Sequence, residues 1–258
     1  MGTRVNHTPN SAVIRLYLAS AGIWCGTIYS NVRVLRAIGV NSLIVLRCLT
    51  PLLVCVLDWL FLGRTLPNKK SLLALCGIFV SGMSYAKSKF ADVELTSKVV
   101  SAGAGEHNVL LWCVIWLNCF LIDATFIKYV VETHPCNRLE RTLYQNTLAL
   151  PFLAVPLLIE GASFSDVLLA PRSAQIALAL SCLAGTILSF SGMSLRSELS
   201  ATSFTILGIT CKMGSTLLNE IFVQPEKDFV RLSCVFGIII FSALYRQAPL
   251  KPSLKQFE

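Results

Sequence analysis

A lysine stands in the middle of an apolar stretch that is long enough to cross a membrane. Residues 200–222 read SATSFTILGITCKMGSTLLNEIF, with Lys212 near their centre. Roughly 20 residues span a bilayer as a helix, and a cation at its centre costs about 2.5–3.5 kcal/mol. We therefore predict that Lys212 faces a bundle interior or a wet cavity. Most of the apolar side chains should lie on other faces of the helix: Leu207, Ile209, Met213, Leu217 and Ile221. A polar stripe with helical spacing accompanies this lysine: Thr205, Gly208, Lys212, Ser215 and Asn219. The alternative, a packing stripe of small residues with a tolerated lysine, stays open.

Two further cations lie inside apolar stretches. Arg47 precedes Pro51 by four residues, and Asp58 follows about three helical turns later, too far along the axis to pair with it. Lys128 lies five residues after Asp123, a spacing that rotates the two side chains away from each other on a helix. A partner on another helix is therefore expected for Asp123 and for Lys128. The alternative is that Arg47 and Lys128 lie near a membrane interface and extend their charged ends into it.

Polar side chains also open the apolar stretch 142–160. They are Tyr144, Gln145, Asn146 and Thr147. Pro151 and Pro156 follow in the same stretch. Two prolines in one span predict a broken helix, and broken helices line cavities in transporters. A helix that ends a few residues later is the alternative.

The composition indicates an all-α, polytopic membrane protein. Of the 258 residues, 54% are hydrophobic and only 14% are charged, whereas soluble domains carry about 25% charged residues. The net charge of +8 comes from basic residues at loop edges rather than from a cluster. We therefore predict no nucleic-acid partner.

The sequence contains no recognisable catalytic or cofactor motif. Its ten cysteines form no CxxC pair, and its three histidines have no zinc-ligand spacing. A GxxxxGK[ST] phosphate loop, HExxH and GxSxG are all absent from it. We therefore predict a protein that is not an enzyme and binds no cofactor or metal.

Eight apolar stretches are predicted to cross the membrane within one transporter-like domain, residues 1–258. They exceed strand length and show no alternation. With the N-terminus in the cytosol, the positive-inside rule places Arg64, Lys69, Lys70, Arg246 and Lys251 on the cytosolic side. The stretches are 13–32, 42–62, 71–86, 108–131, 142–160, 173–193, 200–223 and 230–246.

Five segments, taken in order, resemble motifs of the nucleotide-sugar transporters in the drug/metabolite transporter superfamily. The closest likeness is to plant GDP-mannose-type Golgi transporters. Any one of these motifs is weak, but five in order are fairly specific. The segments are VLRCLTPLLVCVLDWLFLGRTLP, LIDATFIKYVVET, LYQNTLALP, SATSFTILGITCK and ALYRQAP. Tyr-Gln-Asn stands where the family has Tyr-Asn-Asn, and Cys211 replaces the asparagine of its Gly-x-x-Asn-Lys element.

The resemblance implies a multi-pass Golgi membrane antiporter with ten helices in two inverted repeats. Such a carrier exchanges a nucleotide sugar, here GDP-mannose or a related GDP-sugar, for a nucleoside monophosphate by alternating access. The motifs carry substrate-binding roles over to Tyr144, Asn146, Gly208 and Lys212, and we add Lys128 and Arg47 as further membrane cations. Lys212 would then meet the phosphate charge, and Gly208 would allow close approach of the ligand.

Aligned on these motifs, the chain begins at the third helix of the family. Residues 13–86 then form a remnant of the N-terminal half and residues 108–246 the C-terminal half. A chain shortened in this way is expected to transport less well than a version that carries two further N-terminal helices. A non-transporting isoform that binds a full-length transporter, a phosphate exchanger of the triose-phosphate type, and association into a homo-oligomer all remain open.

Overall fold

The computed structural model describes residues 11–90, 106–134, 136–159, 170–222 and 229–251. Within these ranges the regular elements are helices, accompanied by one isolated β-bridge between Arg64 and Leu250. This confirms the prediction of an all-α membrane protein. The helices are α1 (Ser11–Phe61), α2 (Lys69–Phe90), α3 (Glu106–Thr133), α4 (Arg138–Ile159), α5 (Arg172–Glu198), α6 (Ala201–Phe222) and α7 (Phe229–Leu244).

Helix α1 runs from Ser11 to Phe61 and covers most of the first two predicted spans, but it is not straight. Nη2 of Arg47 donates to Oδ1 of Asn31 over 2.7 Å. In a straight helix these positions lie about 24 Å apart, so the chain must reverse direction between them. The reversal returns residues 43–61 as a second apolar segment.

Four segments of the described chain are long and apolar enough to cross a membrane. They are Ser11–Ile38, Leu43–Phe61, Val109–Thr133 and Arg172–Glu198. The shorter apolar helix Phe229–Leu244 covers most of the last predicted span. Within the described residues, α2, α4 and α6 overlap the predicted stretches 71–86, 142–160 and 200–223. The number of eight crossings stays a prediction.

The prediction that prolines break the helix at 142–160 is wrong. Helix α4 continues through Pro151 to Ile159. A proline removes one hydrogen bond from a helix, and the remaining bonds hold α4 together, as they hold α1 at Pro51.

The chain divides into two compact units. The first comprises residues 1–26 and 126–198, and the second comprises residues 27–125 and 199–258. Tyr17, Ile127, Val130, Val131 and Met193 form the main core of the first unit. The main core of the second unit is built by α1, α2, α6 and α7, and includes Ile44, Leu75, Ile78, Tyr85, Ile206, Met213, Val235 and Ile238.

Helices α2 and α7 of the second unit pack closely at glycines. A Cβ added to Gly77 would lie 2.6 Å from ring atoms of Phe241, and one added to Gly237 would lie 3.0 Å from Oγ of Ser81. Gly82 faces Cys48 of α1 in the same way, at 2.6 Å from its sulfur. Small residues let helices approach closely in membranes, so these glycines determine how tightly the second unit packs.

A buried carboxylate connects α1 to the start of α6. Oδ2 of Asp58 accepts hydrogen bonds from the backbone N–H of Thr202 at 3.0 Å and from its hydroxyl at 2.6 Å. The first N–H groups of a helix lack intrahelical partners and carry partial positive charge. Asp58 therefore caps α6 and helps to set the position of the helix that carries Lys212.

Candidate functional site

The second unit contains a cavity of about 250 Å3 between α1 and α6. Arg47 and Lys212, two of the cations selected from the sequence, both line it. Its other lining residues are Asn31, Leu35, Leu43, Ile44, Ile209, Met213 and Thr216. The structure thus brings together two predicted site residues that are 165 positions apart in the chain.

Arg47 is held in place on two sides. Its Nη2 donates to Asn31, and its guanidinium carbon lies 5.7 Å from the ring centroid of Trp116. A guanidinium has five N–H donors. Among the described residues, Arg47 uses one of them, in the hydrogen bond to Asn31. Arg47 is therefore oriented while most of its donors remain available to a ligand.

Lys212 is exposed and less constrained than Arg47. Among the described residues no hydrogen bond or ion pair engages its ammonium group. Its backbone carbonyl accepts a hydrogen bond from the Thr216 hydroxyl at 3.0 Å. A flexible ammonium group and a fixed guanidinium on one cavity suit a ligand with several anionic oxygens.

The charged side chains among the described lining residues of this cavity, Arg47 and Lys212, are both cations. No aspartate or glutamate is among its described lining residues, and apolar side chains make up most of its wall. An apolar wall with few polar groups is the usual construction of a small-molecule site, and charge interactions are stronger away from bulk water. The cavity is therefore suited to a small anion that carries more than one negative charge.

The predicted polar stripe of α6 is wrong in part. Ile209 and Met213, expected on other faces, line the cavity together with Lys212, whereas Gly208 and Ser215 do not. A Cβ added to Gly208 would meet no described atom within 4 Å. Thr205 is buried, and the side chain of Asn219 lies outside the described residues. Ile209 and Thr216 are neighbours of Lys212 at i−3 and i+4. Helical spacing therefore allows Lys212 to share a face with them just as well as with the residues of the polar stripe.

Tyr144 and Asn146 belong to the first unit, where both have protein partners. The Tyr144 ring lies 5.7 Å from that of Tyr17, and Nδ2 of Asn146 donates to Oγ of Ser189 at 2.9 Å. Gln145 between them is buried, and its Oε1 has no hydrogen-bond partner among the described residues. The substrate roles of Tyr144, Asn146 and Gly208 stay predictions.

Lys128 also belongs to the first unit, and its ammonium group is engaged. It donates to the carbonyl oxygen of Arg196 at 2.9 Å and lies 3.1 Å from Oε1 of Glu132. The expected partner on another helix is confirmed, since Arg196 lies in the last turn of α5. A cation at this end of a helix is favourable because the unpaired carbonyls there carry negative charge. These contacts give Lys128 a structural task, and its substrate role stays a prediction.

Sequence comparison identifies two proteins that are similar to this chain. The chain is 27% identical over 254 residues to the protein named GDP-fucose transporter 1 of Arabidopsis thaliana, which covers 95% of this chain and 70% of the relative. It is 30% identical over 250 residues to the GDP-mannose transporter GONST3 of the same plant, which covers 91% of this chain and 62% of the relative. The chain is a distant homologue of nucleotide-sugar transporters. No family model matches it.

Both relatives are named as transporters rather than as enzymes, in agreement with the interpretation of the sequence. The cavity supports the same class of activity. Two cations, Arg47 and Lys212, line it, and no aspartate or glutamate is among its described lining residues.

Asn31 and Thr216 were missed as cavity residues. Asn31 is a polar residue in an apolar stretch, and such residues generally mark functional sites in membranes; this signal could have identified it. Thr216 carries no comparable signal, because threonine is common at helix contacts.

We expect Lys128→Met to destabilise the first unit rather than to remove a substrate contact. Methionine fills similar space but leaves the Arg196 carbonyl and Glu132 without the ammonium group, at a cost of about 1–3 kcal/mol. The thermal unfolding midpoint in detergent should therefore fall. Glu132→Gln, which leaves the bond to Arg196 in place, is the matched control and should lower the midpoint less. A Lys128→Met variant with an unchanged midpoint would show that these contacts contribute little.

Proposed function

We propose that this protein is a Golgi membrane carrier that exchanges a GDP-sugar for a nucleoside monophosphate by alternating access. The observation that carries the proposal is the joint position of Arg47 and Lys212 on one apolar cavity without a carboxylate. The names of the two relatives supply the nucleotide-sugar class and the guanine base.

The diphosphate is the part of a nucleotide sugar that this cavity suits best. Pockets for drug-sized ligands measure about 300–1,000 Å3, and the cavity measures about 250 Å3. It therefore has room for part of such a ligand. A fixed guanidinium can bind two phosphate oxygens at once, and the more mobile ammonium group of Lys212 can follow the charge.

Charge balance in the site supports exchange of one anion for another. Leaving both cations in an apolar cavity without an anion is costly, so the return step is favoured when another phosphate ester replaces the first. A nucleoside monophosphate carries the same base and a phosphate. Exchange of this kind needs no ATP.

The test is uptake into vesicles reconstituted with the purified chain and loaded with GMP. We expect labelled GDP-mannose or GDP-fucose to enter vesicles that hold GMP, and to enter empty vesicles much more slowly. UDP-galactose should enter poorly. Exchange of triose phosphate for phosphate, or the absence of GMP-dependent uptake of any GDP-sugar, would overturn the proposal.

A further inference from the structure

A second and larger cavity lies in the same unit, where α2 begins and α7 ends. It measures about 660 Å3 and is formed by the start of α2 and by residues 241–249. Its polar wall holds Asn68, Lys70, Ser71, Arg246 and Gln247, and its apolar wall includes Leu73, Phe241 and Leu244. It shares no lining residue with the cavity that contains Arg47 and Lys212.

The two cations of this cavity have no ion-pair partner among the described residues. Lys70 and Arg246 are both exposed, and the described ion pairs involve other residues. No aspartate or glutamate is among the described lining residues. The cavity therefore presents net positive charge to a ligand.

The backbone around Arg246 is fixed. Oγ of Ser71 donates to its carbonyl oxygen at 3.1 Å and accepts from its N–H at 3.2 Å. Residues further along are held against the loop after α1, since the N–H of Thr65 donates to the Pro249 carbonyl at 3.0 Å and that of Lys251 to Gly63 at 2.9 Å. Gly63 has a φ of 63°, which glycine adopts without strain. The polar wall is thus positioned by the fold.

The apolar wall is open. Leu73 is 70% exposed and Leu244 is 59% exposed, so both present large apolar surfaces beside the two cations. A free inorganic or sugar phosphate would use the cations and leave this surface uncovered. A phospholipid would use both, because its phosphate can meet the cations while an acyl chain covers the leucines.

We propose that this cavity is a binding site for an anionic phospholipid. Lys70 and Arg246 bind the headgroup phosphate, and Leu73, Phe241 and Leu244 cover the upper part of one acyl chain. Lys69 precedes Lys70 at the start of α2, and Lys251 follows the cavity residues 246–249. These two further cations add to the attraction for an anionic membrane surface. The bound lipid would hold α2 and α7 together at the ends that carry the cavity. This site is independent of the proposed substrate site.

The experiment measures how many phosphatidylserine molecules the full chain retains in native mass spectrometry. Protein is purified from mixtures of phosphatidylcholine and phosphatidylserine. We expect the wild type to retain phosphatidylserine in preference to phosphatidylcholine, and Lys70→Gln/Arg246→Gln to bind it roughly tenfold more weakly. The matched control is Arg33→Gln/Arg36→Gln, which removes two exposed cations that do not line the cavity. The control should retain as much phosphatidylserine as the wild type.

A third variant separates a lipid from a free phosphate. Leu73→Trp fills the apolar wall and keeps both cations, so it should reduce lipid retention while leaving any binding of soluble glycerophosphoserine unchanged. Equal retention by the wild type and Lys70→Gln/Arg246→Gln would overturn the proposal. Displacement of the lipid by inorganic phosphate or glycerophosphoserine at similar concentrations would also overturn it, in favour of a soluble phosphate ligand. Unfolding midpoints measured without anionic lipid show whether each variant is folded.

Discussion

Lys212→Ala should lower GDP-sugar exchange by about 10–100-fold in reconstituted vesicles. A hydrogen bond to a charged group contributes about 1.5–3 kcal/mol, and each 1.4 kcal/mol is a factor of ten in binding. The Lys212 side chain has no partner among the described residues that would be lost with it, and it lines the same cavity as Arg47. The loss should therefore appear in transport and not in folding.

Three further variants make this result specific. Lys212→Arg keeps the charge and should retain more exchange than Lys212→Ala. Lys69→Ala removes an exposed cation of the same unit that lies outside the cavity, and it should leave exchange close to wild type. Arg47→Met should reduce exchange as well, but it also removes the contacts to Asn31 and Trp116, so its unfolding midpoint must be measured with it. Unchanged exchange in Lys212→Ala would contradict the proposed site.

Gly77→Val should strongly lower the stability of the second unit. Even the first carbon of a side chain at this position would lie 2.6 Å from the Phe241 ring, well inside van der Waals contact. Overpacking of this kind costs about 1–3 kcal/mol or more, because α2 and α7 must move apart and release contacts in the core that they share. The unfolding midpoint in detergent, followed by tryptophan fluorescence, should fall accordingly.

The matched control for this substitution is Gly185→Val on α5. A Cβ at Gly185 meets no described atom within 4 Å, so the same change of residue type should alter the midpoint little. Removing the ring by Phe241→Ala should relieve part of the cost of Gly77→Val, so that the double variant loses less stability than the sum of the single variants. Additive losses would show that the two residues do not press against each other.

The sequence was sufficient for the class of protein and for the most important cation. Long apolar stretches with few charges have one stable solution in a membrane, the helix, because backbone groups in lipid must satisfy their own hydrogen bonds. A cation in such a stretch needs a polar environment or an anion, which led to Lys212 and Arg47 before any contact was known. The motifs led to nucleotide-sugar transporters, and the two relatives support that family.

The tertiary structure decided which residues face the same cavity and which cations are already engaged. Arg47 meets Asn31 through a reversal of α1, and Lys128 meets the end of α5, 68 residues away. Helical periodicity could not show either contact, since it relates side chains only along one helix. It also could not choose between two adjacent faces of α6, because Lys212 is a neighbour of Gly208 and of Ile209 alike. Packing made that choice: burial of the apolar face against α1 brought Ile209 and Met213 into the wall, and Lys212 came with them.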